Sequence, residues 1–243
     1  MSVRTITIAA YRRPDYLKQV LESLDVAMLH CPEYQAGVIL GIDPCGQSDP
    51  KETGECVKIA ERLQDWQHGR AILWPRHLGV DEHPRRLIQY AFQELDSDFN
   101  LHLEDDTVLS PDALNLALWY SKTPTFSEIL SLYHPSTDDS RPDTVERIPG
   151  FSCWGWACQA AIWKDYLALN WNCKRSFPIG WDWSVTETMN KYGLRAVAPV
   201  LSRVKNIGRE RGEYQTPEQH DKDFGGQVQA GLQHIQTTFR FKK

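Results

Sequence analysis

Asn100–Pro111 reads NLHLEDDTVLSP. Leu101 and Leu103 alternate with His102, which is the period of a strand. The run then meets three adjacent carboxylates, Glu104, Asp105 and Asp106, and stops at Ser110-Pro111. A strand that ends in clustered acids presents them at its carboxyl end, where ligands bind in open α/β sheets. Hard cations such as Mg²⁺ and Mn²⁺ take carboxylate oxygens, and Mg²⁺ commonly uses one or two of them plus a substrate phosphate. The stretch therefore reads as a metal–diphosphate site, set against the plainer reading of a solvated acidic turn. Three adjacent acids are a weak motif alone. Their place at the end of an apolar strand gives them weight.

Working outward, the same alternation recurs. Thr5–Ala10 is a β-rich run, followed by Tyr11-Arg12-Arg13-Pro14 and a helix over Asp15–Leu24 with Leu17, Val20, Leu21 and Leu24 at helical spacing. Pro14 suits a first helical turn. Gly37–Ile42 is the next strand and ends in Asp43. Asp49–Gln67 reads as a helix, Ala71–Trp74 as a third strand, and Glu82–Leu95 as a helix after the loop carrying Arg76 and His77. Phe99–Glu104 is the fourth strand, Asp112–Ser121 a helix and Glu128–Tyr133 a fifth strand. Strands separated by helices in this order predict a parallel sheet with right-handed crossovers, in one α/β domain.

The second half changes character. His134–Pro149 is polar and reads as a loop excursion. Phe151–Trp163 is small and aromatic, Lys164–Leu169 a short helix, and Trp181–Tyr192 a helix whose entry carries Asp182. Leu194–Val200 reads as a strand and Val204–Ile207 as a short extended piece. Gly208–Gly212 is a charged, glycine-flanked loop, and Gln227–Phe239 a weakly helical tail.

The 243 residues suit one α/β domain, and 41% hydrophobic content is enough for a core. A net charge of −5 does not favour a nucleic-acid binder. No apolar run is long enough to cross a membrane, and the N-terminus enters a strand without a secretory pattern. A cytoplasmic location is expected. None of the six cysteines forms a C-x₂-C pair, so a zinc site is not expected, and most read as small buried residues in a reducing compartment. Six of the nine tryptophans crowd into residues 154–183. Such rings are either core or the flat wall of a sugar or base site.

Unusual residues fall after successive strands: Tyr11 and Arg12, then Asp43, then Arg76 and His77, then Glu104–Asp106. Parallel strands bring these ends to one edge, across which a nucleotide could lie. Asp182, between Trp181 and Trp183, is either a carboxylate favouring a helix N-terminus or a general base made more basic by an aromatic pocket.

Several segments, in this order, resemble inverting nucleotide-sugar glycosyltransferases of GT-A fold. The likeness is to the broad glycosyltransferase family 2 and to the eukaryotic N-acetylglucosaminyltransferase I that starts complex N-glycans. It spans roughly residues 5–212. AAYRRPDYL resembles the opening strand–turn–helix, GIDPCG the second-strand Asp, HLGVDEHPRRLIQYAF the loop and Arg-bearing helix, LEDD the metal motif, IPGFSCWGWACQAAIW the acceptor-side segment, GWDWSV the motif of the catalytic carboxylate, and LSRVKNIGRERG the closing loop.

The resemblance implies a Rossmann-like, mostly parallel sheet flanked by helices. Residues 1–133 would form the nucleotide-binding half, 134–212 the acceptor and catalytic half, and 213–243 a tail. It implies Asp106 as direct ligand of Mn²⁺ or Mg²⁺. Ala10, Tyr11, Arg12, Asp43, His77, Arg86, Glu104, Asp105 and Arg209 would hold the nucleotide. Asp182 would be the catalytic base, and Trp154, Trp156, Trp181 and Trp183 the sugar and acceptor pocket. The implied donor is a nucleotide sugar, foremost a UDP-sugar, and the acceptor a glycan, a lipid-linked sugar or a modified nucleobase. His220 is the one candidate near the position where such enzymes often carry a further metal or phosphate histidine. The alternatives are the same chemistry on a hydroxymethylated base of phage DNA, for which Arg203, Lys205, Arg209 and Arg211 speak, and a sugar-nucleotide-binding phosphohydrolase or nucleotidyltransferase. The last usually carries a glycine-rich loop after the first strand, where this chain has AYRRPDY. A non-catalytic binding module is disfavoured by intact Asp106 and Asp182.

Overall fold

The computed structural model describes residues 2–44, 50–66, 69–123, 128–135, 138–173, 180–210 and 216–242. Its hub is β1 (Arg4–Ala10), whose residues from Thr5 to Ala10 are buried. It pairs in parallel with β2 (Gly37–Ile42) on one side and with β4 (Phe99–Glu104) on the other. β3 (Gly69–Leu73) adds outside β2, again in parallel. Near-continuous apolar strands of this kind are expected where helices cover both faces. The crossovers are α1 (Pro14–His30), α2 (Pro50–Ala60, running into a 3₁₀ turn at Glu61–Asp65) and α3 (Gly79–Gln93). The buried stripe of α1 continues through Ala27, so the helix runs beyond the predicted Leu24. The register pairs Ala10 with Ile42 and Ala9 with Glu104, which aligns the carboxyl ends of β1, β2 and β4 on one edge.

Beyond β4 the structure corrects the simple parallel order. β5 (Thr107–Leu109), α4 (Ala113–Ser121) and β6 (Glu128–Ser131) follow, but β6 does not pair with β4. A later strand, β8 (Trp156–Gln159), lies antiparallel between the two. Its residues are mostly buried, so the alternation that would betray a strand is missing. The polar excursion over 134–149 also holds a strand, β7 (Thr144–Ile148), in which Thr144 and Val145 are buried. β7 runs antiparallel to β9 (Arg195–Pro199), which is parallel to β6. The result is a nine-stranded, mostly parallel sheet within one mixed α/β domain, in the order β11-β7-β9-β6-β8-β4-β1-β2-β3.

β10 (Val204–Asn206) pairs antiparallel with β5 in a small second sheet. The aromatic segment after β8 winds through α5 (Ala160–Ile162), a π-helical turn at Trp163–Leu167 and α6 (Ala168–Asn170). α7 (Trp181–Tyr192) matches its predicted bounds. The tail differs from expectation. Its α-helix, α8 (Pro217–Phe224), precedes the weakly helical stretch and is capped by the Thr216 side chain. Residues 227–239 carry a 3₁₀ turn at Leu232–His234, and β11 (Arg240–Phe241) then pairs with β7. The tail is fixed by a fully buried ion pair, Arg203 to Asp112 at 2.9 Å. The second oxygen of Asp112 accepts the Gln236 N–H at 3.0 Å.

One apolar layer joins Ile6, Ile8, Val38 and Leu101 to α1 and α4. The other joins α3 to the aromatic second half through Ile88, Phe92, Trp156, Trp163 and Trp181. Among the described residues, no helix is long and apolar enough to cross a membrane.

Candidate functional site

A cavity of about 630 Å³ opens at the carboxyl edge of β1, β2 and β4. It gathers Ala10, Tyr11, Arg12, Asp43, His77, Glu104, Asp105, Asp106, Trp154, Trp181, Asp182 and Trp183 from the residues singled out in the sequence. Arg86, Arg209 and Trp156 do not line it. Arg86 sits on α3 and pairs with Glu82 at 2.6 Å. Arg209 pairs with Asp221 at 2.8 Å. Trp156 belongs to central strand β8 and is buried against Phe151, His102 and Trp181. Arg211 and Gly212 lie outside the described residues.

The carboxylates are held from β1 and its turn. Asp105 accepts the Tyr11 N–H at 2.7 Å and an Arg13 N–H on its other oxygen. Asp106 Oδ2 accepts Arg13 Nη1 at 2.6 Å. Its Oδ1 is buried and has no hydrogen-bond partner among the described residues. Arg12 has φ 59, a left-handed conformation uncommon outside glycine. Across this kink Arg12 pairs with Glu52 and Arg13 turns to the carboxylates. Burial works against the Arg13 charge, but Asp105 and Asp106 together outweigh it and raise its pKa. Burial, then Asp106, pushes Glu104 up to about 8. Trp181 Nε1 donates to Glu104 Oε1 at 3.4 Å.

Asp43 spends both oxygens on the entry to α3, accepting the N–H groups of Leu78 at 2.8 Å and Gly79 at 2.9 Å. His77 Nδ1 is 3.1 Å from the same carboxylate, and its ring lies 5.2 Å from that of Tyr11. Asp43 therefore shapes this end of the cavity by fixing the loop.

Two glycines permit close approaches. A Cβ on Gly208 would fall 2.3 Å from Asp106 Oδ2, so the segment after β10 crosses the carboxylate only without a side chain. Gly180 has φ 118, and a Cβ there would fall 2.5 Å from Asp182 Oδ1. Asp182 thus enters the cavity folded back over the start of α7. Burial, then Glu104, Asp182 and Asp106, pushes the neighbouring Cys153 thiol up. Trp154 is wedged edge-on against Tyr133 and Phe224, at 4.9 and 4.6 Å between ring centres. Trp183 is 44% exposed at the mouth. His220 Nε2 reaches Asn206 Oδ1 at 3.2 Å and stands behind the wall, whereas Asn206, Gly208 and Gln219 line it.

Arg13, Glu52, Cys153, Asn206, Gly208 and Gln219 are among the further lining residues that were not singled out as site residues from the sequence. Arg13 had a signal in the doubled arginine before the helix, but the kink that decides which of the two turns inward leaves no mark in sequence.

Among the described residues, no three His, Cys, Asp or Glu side chains form a metal cluster. A Mg²⁺-type cation completed by diphosphate oxygens needs only one or two protein carboxylates. The unpartnered, buried Asp106 Oδ1 is a fitting single ligand.

The sequence matches no family model and no curated protein. The fold is similar to that of the mannosyltransferase PcManGT from Pyrobaculum calidifontis, solved with GDP-Man and Mn²⁺. That match has 16% identity and a TM-score of 0.56, and covers 81% of this chain and 54% of that one. It is also similar to S. aureus TarS 1–349 in complex with UDP-GlcNAc, with 16% identity and a TM-score of 0.58, covering 90% of this chain and 64% of that one. The TarS structure with UDP matches at 14% identity and TM-score 0.55, covering 83% and 59%. The chain thus spans 54–64% of the length of these structures. At such identities the likeness is one of fold, and it places the domain beside structures solved with nucleotide sugars.

Proposed function

We propose that this chain is a metal-dependent, inverting glycosyltransferase that moves a sugar from a nucleoside-diphosphate donor to an acceptor hydroxyl. The observation that carries the reading is one cavity with two kinds of carboxylate: Asp106, with a buried oxygen unpartnered among the described residues, and Asp182, among tryptophans at a helix start. The similar folds solved with GDP-Man or UDP-GlcNAc support the donor class.

Asp106 would hold Mn²⁺ or Mg²⁺ together with the donor diphosphate. A divalent cation there supplies Lewis-acid neutralisation of the departing diphosphate. Asp182 takes the proton from the acceptor hydroxyl as its oxygen attacks the anomeric carbon. The bond from that carbon to the diphosphate oxygen breaks on the opposite face, giving the inverted glycoside and the free nucleoside diphosphate. Tyr11 and His77, set by Asp43, form the face against which the nucleotide base rests. Trp154 and Trp183 give apolar surfaces for sugar rings, backed by the buried Trp181. UDP is the first nucleotide to try and GDP the second, since both occur in similar folds.

Calorimetric titration with UDP, GDP, dTDP and CMP, with and without Mn²⁺, tests the reading. One nucleotide is expected to bind in a Mn²⁺-dependent way, and Asp106→Asn to remove that dependence. No binding of any nucleotide by the parent chain would overturn the transferase reading in favour of a phosphohydrolase or a binding module.

A further inference from the structure

We propose that Arg13 makes this a site that takes a divalent cation only together with a nucleotide diphosphate. The inference rests on the function proposed above and names what governs its metal. The Asp105–Asp106 pair has four carboxylate oxygens. Arg13 holds one on each residue, and the Tyr11 N–H holds a third. The fourth, Asp106 Oδ1, is buried and unpartnered among the described residues. The arginine side chain is itself only 18% exposed, so water screens its charge weakly.

Two effects follow. The Arg13 fork fixes the Asp106 carboxylate so that a single oxygen is offered. A hard cation held by one protein oxygen fills its other positions with water and gains little over the free hydrated ion. The guanidinium also cancels one negative charge of the cluster at close range, which weakens attraction for a free dication. A diphosphate repairs both deficits, because it brings anionic oxygens to the cation and negative charge to Arg13. The neighbouring Arg12 pairs with Glu52.

The test is Mn²⁺ titration of the full chain, alone and with saturating UDP or GDP, for the parent, Arg13→Gln and Arg13→Lys. Both substitutions keep the backbone carbonyl that accepts the Leu17 N–H at 2.9 Å, and melting temperatures check the fold. The parent is expected to bind Mn²⁺ at least roughly tenfold tighter with nucleotide than without. Arg13→Gln is expected to bind Mn²⁺ alone roughly tenfold tighter than the parent, as loss of a nearby like charge requires. Arg13→Lys, which keeps the charge but not the two-pronged hold, should fall between the parent and Arg13→Gln. A parent chain that binds free Mn²⁺ as tightly as the nucleotide complex does overturns the proposal whatever the variants do. Nucleotide binding with unchanged free Mn²⁺ affinity in Arg13→Gln overturns the coupling alone. Absence of nucleotide binding by the parent overturns the transferase reading and the coupling with it.

Discussion

Along one wall of the cavity, from Tyr11 through Asp43 to Asp106, carboxylates are clamped by backbone N–H groups and by Arg13 at 2.6 to 2.9 Å. Along the facing wall, from Cys153 to Trp183, rings meet rings. Trp154 leans on Tyr133 and Phe224, and Trp181 stacks on Trp171 with an interplanar angle of 7°. The first wall is set by short local segments at the ends of parallel strands. Directional hydrogen bonds to charged groups fix an atom to a position. The second is set by packing among distant segments, which fixes a surface but not a point. A wall of the first kind suits a constant ligand such as a diphosphate. A wall of the second kind can change its ligand by exchanging rings.

Three measurements break or sharpen this contrast. The largest effect is expected from Asp182→Asn, the point charge set into the aromatic wall. Transfer should fall about 10²–10⁴-fold while nucleotide affinity stays within about twofold. Loss of nucleotide binding in that variant would mean that the walls do not divide the work. Next is Gly208→Ala, which drives a methyl against Asp106 Oδ2. Mn²⁺-dependent nucleotide affinity should fall roughly tenfold by calorimetry, with the tryptophan fluorescence of the opposite wall unchanged. An unaltered affinity would show the carboxylate wall to be as yielding as the other.

The smallest effect concerns the seam between the walls. His102 is buried, bonds Thr7 at 2.9 Å and packs edge-on against Trp156 and Trp181. Burial, then His83, lowers its pKa from 6.5 to about 3. The unfolded chain therefore takes up a proton near pH 6.5 that the folded chain refuses until about pH 3. This share of stability is whole above pH 6.5 and is lost as the pH falls, by about 1.4 kcal/mol per pH unit. Urea melts at several pH values should show the slope, and His102→Gln should flatten it. An identical slope in that variant would place the acid sensitivity elsewhere.

Sequence period alone locates β2, β4 and α7 to the residue, because each is a clean apolar run or stripe bounded by turn or cap residues. It also brings Asp43 and Glu104–Asp106 to one cavity, since parallel strands share their carboxyl edge, whereas Asp182 joins them from the start of α7, a place that only the family resemblance implies. It fails where the chain is buried on both sides, as in Trp156–Gln159, or where a strand is half polar, as in Thr144–Ile148. Asn206 and Gly208 fall within the stretch that resembles a closing loop, but their place beside Asp106 follows from the pairing of β10 with β5, which no local pattern announces. The same holds for Arg13, whose role follows from a single backbone angle at Arg12.

The insertion of β8 between β4 and β6 bears on how such a protein can be recombined. A cut near residue 133 divides the linear sequence into two tidy halves. It does not divide the sheet, since the first half lacks its middle strand until residues 156–159 are supplied. Trp156 lies in that strand and touches the aromatic wall through Trp181. Grafting the second half from another chain of this fold therefore replaces a keystone together with the wall it supports. A chimera must be judged first by whether it folds and only then by what it recognises.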